Sequence, residues 1–264
     1  MSYIVKRIVL KGYGHLALLV DKIKGKKMNQ FKKTLSTMGV CAAMMMAAQA
    51  NAENDVSLQV SGNVVPTACT PALSNSGEVD FGAISASSIR HPASGNNLVQ
   101  LGSQKITLTV SCDAATAVGF RMVDNRAGSA VVLATTTYIV NPNAGGLNFT
   151  ESQFGFGLGK TNGKNNGTYT VIADAATVTI DGVHADVIFS ENSGSSWRAG
   201  SNYITQRPEA ARILTAAQKG TSSPALFKEM VMPLKISAGM QPSSVLGFDE
   251  IVLDGSATMS LVYL

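Results

Sequence analysis
Apolar and polar residues alternate with a period of two along much of this chain. Counting by twos from Ile251 gives Ile251, Leu253, Gly255, Ala257, Met259, Leu261 and Tyr263, interleaved with Asp254, Ser256, Thr258 and Ser260. Successive side chains of a strand face opposite ways, so Ile251–Leu264 predicts a half-buried β-strand running to the last residue. Such a strand must be held by its own sheet or by another protein's edge. The same pattern recurs at Val56, Leu58, Val60, Gly62 and Val64, and again at Ile106, Leu108, Val110 and Cys112. Further strands are predicted over Val118–Val123, Val131–Val140, Tyr169–Ile172, Val178–Ile180, Val187–Phe189 and Met230–Ile236. The polar, turn-rich stretches NPNAGG, KTNGKNNG, ENSGSS and TSSP separate them. Only Glu209–Lys219 looks helical; Ala211, Leu214 and Gln218 make no strong apolar face, so it reads as one or two turns of helix or as a loop. The expectation is a single all-β domain.

The first 52 residues follow another pattern. From Met28 the chain reads MNQFKKTLSTMGVCAAMMMAAQANA: two lysines, an apolar run from Leu35 to Ala48, and Ala50-Asn51-Ala52 in the small-x-small form of a signal-peptidase site. The run is short for a permanent span. Residues 28–52 are therefore expected to be a signal peptide cleaved after Ala52, and 53–264 the exported domain. Residues 1–27 are expected to be an extension upstream of the true start, with a basic tail on a membrane anchor as the other reading. This division changes the charge argument. The whole chain carries 21 basic and 17 acidic residues, but nine of the basic ones and one acidic one lie in 1–52. The exported part has a net charge of −4. It lacks the clustered basic face a nucleic-acid partner would need.

Candidate chemistry is sparse. The exported part holds Cys69 and Cys112, an even pair in an oxidising compartment, which form either a disulfide or two buried thiols. Only His91 and His184 remain there; neither lies beside a nucleophile motif, and there is no CxxC. No enzyme, cofactor or metal is expected. Asp249, Glu250 and Asp254 read as a solvated acidic turn rather than a calcium site. FGFGLGKT (154–161) ends like a phosphate-binding loop but lacks its first glycine. It reads instead as a strand with Phe154, Phe156 and Leu158 on one face and a bare glycine face on the other, where another backbone approaches. Trp197 and Arg198 sit in a loop-like stretch. They either anchor that loop or stack on a sugar ring at the surface.

Taken in order, the signal peptide, the strand Val56–Val64 leading into VVPTAC with Cys69, KITLTVSC ending in Cys112, and the terminal GSATMSLVYL with Tyr263 next to last resemble subunits of bacterial chaperone–usher pili. The resemblance covers Val56 to Leu264 in outline, and its specific motifs lie at the two ends. It implies an immunoglobulin-like, pilin-type β-sandwich that lacks a strand and is completed by a donated one. It implies that the two cysteines join the ends of the first and second strands. It implies that Gly255, Ala257, Met259, Leu261 and Tyr263 face a chaperone or donor strand. The implied partners are a periplasmic pilus chaperone, an outer-membrane usher and neighbouring subunits, on the way to a surface fimbrium and cell adhesion. Two departures qualify this. Ile251 stands where the family has a glycine, the nearest being Gly247 and Gly255. If Val56–Val64 is the domain's own first strand, Glu53–Asp55 is too short to donate. The expectation is then a minor or tip-type subunit that accepts a strand and gives none. The other reading is a stand-alone secreted module that binds a host glycan or surface through the loops around Trp197 and Arg198.

Overall fold
A computed structural model describes residues 58–63, 67–142, 148–200 and 212–264. The expected signal peptide and upstream extension lie outside the described residues. The chain divides into two units, 1–60 and 61–264. Of the first, residues 58–60 are described; they form no strand and are exposed.

Among the described residues the second unit holds fourteen strands. They are β1 (Cys69–Leu73), β2 (Val99–Thr116), β3 (Val118–Asp124), β4 (Ile139–Val140), β5 (Asn148–Phe149), β6 (Phe156–Gly157), β7 (Lys160–Thr161), β8 (Lys164–Asn165), β9 (Gly167–Ala173), β10 (Thr179–Ile180), β11 (Val183–Ser190), β12 (Ile213–Gln218), β13 (Phe227–Met240) and β14 (Ala257–Tyr263). One helix, α1, spans Ser243–Leu246. Ten strands make one antiparallel sheet that follows the order β1-β2-β13-β10-β11-β12-β3-β14, with β9 and then β6 branching from β13. The protein is thus all-β. The path folds into two layers, one around β2, β13 and β9, the other around β11, β12, β3 and β14, joined where the short β10 pairs with both β13 and β11. The inner faces meet in one core. Leu108, Val110, Met230, Met232 and Val171 from the first layer pack in the same cluster as Phe120, Val187, Leu214 and Ala216 from the second. Each side chain of this size, fully buried, contributes on the order of 1.5–3 kcal/mol.

A second cluster explains why β9 is buried on both faces. Leu98, Leu133, Ile139, Phe149 and Phe154 cover Ile172, on the face of β9 turned away from the core. The long excursion between β3 and β6 supplies most of this cover. It is not the strand expected over Val131–Val140: only β4 is regular there, and the rest is loop with isolated bridges.

Three other expectations are corrected. Residues 213–218, inside the stretch read as helix or loop, form β12; it is buried between β11 and β3 up to Gln218. Residues 209–211 lie outside the described residues. Its alanines favour a helix alone, but a slot between two strands decides otherwise. The last strand is β14, starting at Ala257, and residues 251–256 are irregular. Finally, of Val56–Val64, residues 58–63 form no strand, and Leu58 and Val60 are 88% and 85% exposed; 56, 57 and 64 lie outside the described residues. The first strand of the sheet is β1, opening at Cys69.

The glycine-rich FGFGLG follows its alternation only in part. Phe156 and Leu158 enter the core and Gly157 meets backbone, but only β6 is strand there, and Phe154 ends a 3-10 turn and packs in the second cluster instead. A Cβ on Gly157 would lie 2.2 Å from the Arg126 carbonyl oxygen, while the Gly157 N–H donates to Asp124 Oδ2 at 2.9 Å. Since that carbonyl belongs to a tight turn, Gly157→Ala is expected to cost about 1–3 kcal/mol as overpacking, read as a lower urea midpoint.

Candidate functional site
The two ends of the sheet path are β1 and β14, and no strand lies between them among the described residues. β14 pairs along its whole length with β3, from Ala257↔Asp124 to Tyr263↔Val118. Among the described residues its other edge has no strand partner, so alternate amides and carbonyls there lack a ladder. β1 pairs with β2 alone, Cys69 directly opposite Cys112, and the two cysteines form a disulfide. Pro71 sits in β1 without cost because an edge strand can spare one N–H.

Between these edges opens a groove of about 490 Å3. Ile106, Val171, Leu234, Ile236 and Tyr169 form its floor; Ala257 and Met259 line one side, and Leu73, Val79 and Phe81 the other. Glu78 and Asp80 bring charge to the rim. At one end the gap is crossed by a side chain: the Cys69 N–H donates to the Tyr263 hydroxyl at 2.9 Å. A groove floored by apolar side chains and flanked by two end strands of the sheet path has the form that β-strand addition uses in general.

The expected interface residues take distinct places. Ala257, Met259 and Leu261 all pack inward against the core, and the first two line the groove. Thr258, on the other face, is exposed and bonds Asn125. Tyr263 is 54% exposed and bridges the groove's end rather than walling it. Gly255 precedes the strand and lines the groove; a Cβ there would lie 3.0 Å from the Tyr169 ring and 3.2 Å from Leu158. Ile251, the position flagged for lacking a glycine, lies outside the last strand, and Gly255 makes the close approach instead.

Sequence reasoning missed the far wall and the floor's one polar residue. Val79 and Phe81 stand two apart after the cysteine segment, a visible signal that the misplaced first strand obscured. Tyr169 was read only as a strand residue. It stacks on Phe156 with ring centroids 5.3 Å apart. Burial, with the charge of Asp124 added, pushes its phenol well above the usual range, so it remains protonated.

Trp197 and Arg198 are elsewhere. Trp197 is half-buried, and a Cβ on Gly194 would lie 3.7 Å from its ring and 3.9 Å from Leu264. Arg198 is paired with Glu191 and lies 4.9 Å over the Phe189 ring. Arg212 lies 4.4 Å from the centroid of the same Phe189 ring and 5.3 Å over Phe154; burial, reinforced by the charge of Arg198, lowers it to about 10. Of the acidic trio, Asp254 is drawn to Arg126 at 2.9 Å. His91 and His184 are not brought to the groove.

The fold is a disulfide-pinned, all-β antiparallel sandwich with a groove between the two ends of its sheet path. By sequence, the chain belongs to the DUF1120 family, described as "Protein of unknown function (DUF1120)", whose model matches residues 58–170. It is 31% identical over 255 residues to protein GltF of Escherichia coli (strain K12), covering 89% of this chain and 99% of GltF. It is 28% identical over 244 residues to protein YhcF of the same organism, covering 85% of this chain and 97% of YhcF.

Proposed function
We propose that this protein is a structural subunit of a chaperone–usher surface fibre, completed by a donated β-strand and contributing to cell adhesion. The observation that carries the reading is the groove between the free edge of β14 and the disulfide-pinned β1. An empty groove leaves apolar side chains and edge amides in water, a state that another strand relieves. In the periplasm a pilus chaperone supplies it; in the fibre a neighbouring subunit does, after passage through the outer-membrane usher.

The source of the strand in the fibre is a second copy of this chain. Val56, Leu58, Val60, Gly62 and Val64 alternate as a donor must, and residues 58–63 take no part in the sheet. Leu58 and Val60 are exposed apolar residues whose place in the isolated chain nothing else explains. With that segment outside the sheet, the ground for confining the protein to a fibre tip falls away. Such a subunit both accepts and donates.

Periplasmic expression of residues 28–264, with and without the pilus chaperone encoded nearest its gene, tests the reading. A one-to-one complex, with degradation of the subunit when the chaperone is absent, is expected. A monomer that accumulates equally well in both cases would overturn it and favour the stand-alone binding module.

A further inference from the structure
Tyr169 is the one tyrosine that lines the groove. Its ring is buried at 8% exposure, but its hydroxyl is not among the buried unpartnered atoms and makes no hydrogen bond to any described residue, so it opens onto the groove. Water can satisfy it while the groove is empty; once a strand excludes that water, a hydroxyl left unpaired would cost free energy that phenylalanine would not. The nearby carboxylate does not serve: Asp124 accepts from the backbone N–H groups of Arg126 at 2.8 Å and Gly157 at 2.9 Å. The ring is fixed from two sides, by Phe156 at 5.3 Å and by Gly255, whose missing Cβ leaves room for it. A rigid, protonated donor thus stands in the floor of an otherwise apolar trough.

We infer that the Tyr169 hydroxyl is a binding group for the strand that enters the groove, donating a hydrogen bond to a main-chain carbonyl of that strand. The inference rests on the donated-strand reading above. The acceptor is main chain because the inward side chains of the proposed donor, Val56, Leu58, Val60, Gly62 and Val64, carry no acceptor of their own. One bond at a fixed place also favours one register over its neighbours, which apolar contacts alone discriminate weakly.

The test titrates a fluorescein-labelled peptide of residues 53–66 into the mature chain beginning at Glu53 and into its Tyr169→Phe variant, with urea midpoints measured for both without peptide. The expected signature is a loss of affinity without a loss of stability. Peptide binding weakens about three- to tenfold, the range of one net hydrogen bond, while the midpoint of the empty protein is unchanged, because the hydroxyl makes no bond within the described protein. Equal affinity in the two proteins would overturn the inference, as would a lower midpoint with unchanged affinity, which would make the hydroxyl structural. If the unmodified protein binds no peptide, the donated-strand reading itself fails, and this inference with it.

Discussion
Replacing Cys69 and Cys112 together by serine is expected to destabilise the domain by about 4 kcal/mol, the value the chain-entropy model assigns to a loop of this length. The two residues are 43 apart in sequence. A net stability of 5–15 kcal/mol is usual for a domain, so a large part of it would go. The local consequence is sharper than the global one. β1 has five residues, touches β2 on one side only, and includes Pro71, which has no N–H to give. Its hold on the sheet is therefore the disulfide, a short ladder, and the bond from the Cys69 N–H to Tyr263. Without the disulfide, β1 and the Leu73 side of the groove are the first parts expected to open. Urea unfolding of the oxidised protein, the reduced protein and the double variant checks this. Reduced protein and variant should share one midpoint, well below that of the oxidised protein, and reductant should leave the variant unchanged. Coinciding midpoints for the oxidised and reduced forms would show that the ladder alone holds β1.

The alternation of side chains made the all-β class, the core strands β2, β3, β9, β11 and β13, and the inward set Ala257, Met259 and Leu261 legible before any coordinates. Apart from β9, which is buried on both faces, these strands bury one face against the opposite layer, and a period of two records that directly. What stayed illegible has physical reasons. β12 is Ala-rich, and a chain buried on all sides between strands carries no face to alternate. The cover over Ile172 is loop, whose burial comes from scattered contacts rather than a period. The alternation of Val56–Val64 was seen and its meaning misjudged. Alternation states that a segment suits a sheet; it does not say whose sheet. The groove needed both ends of the sheet path, β1 and β14, which are bridged by Tyr263 across 194 residues of sequence. Tyr169 could be recognised as a groove residue only once Gly255 was seen against its ring.

Two neighbouring aspartates in β14 are expected to behave in opposite ways. Met259 faces the core and the groove, directly across from Met122 on β3. Met259→Asp removes that packing and sets a carboxylate on a half-buried apolar wall, where the charged form is only partly hydrated and has no partner. A loss of roughly 2–5 kcal/mol is expected, in the range of large core truncations. Capture of a donated strand should be lost with it, because the new charge would also face any apolar side chain placed in the groove. Ser260 is one residue on and turned the other way, opposite the exposed Arg121. Ser260→Asp sets its charge beside that guanidinium at the surface, where such a pair contributes about 0–1 kcal/mol, so stability and strand capture should both be kept. Co-purification with the pilus chaperone and the urea midpoint, measured for both variants, read the two effects at once. The contrast is what tests the site: damage from both substitutions would mean β14 is buried on both faces, and tolerance of both would mean that the edge is not a docking surface. Met259→Ala separates the two contributions within the first variant. It removes the side chain without adding charge, so it should lower the midpoint while leaving a residual, weakened capture that the aspartate abolishes.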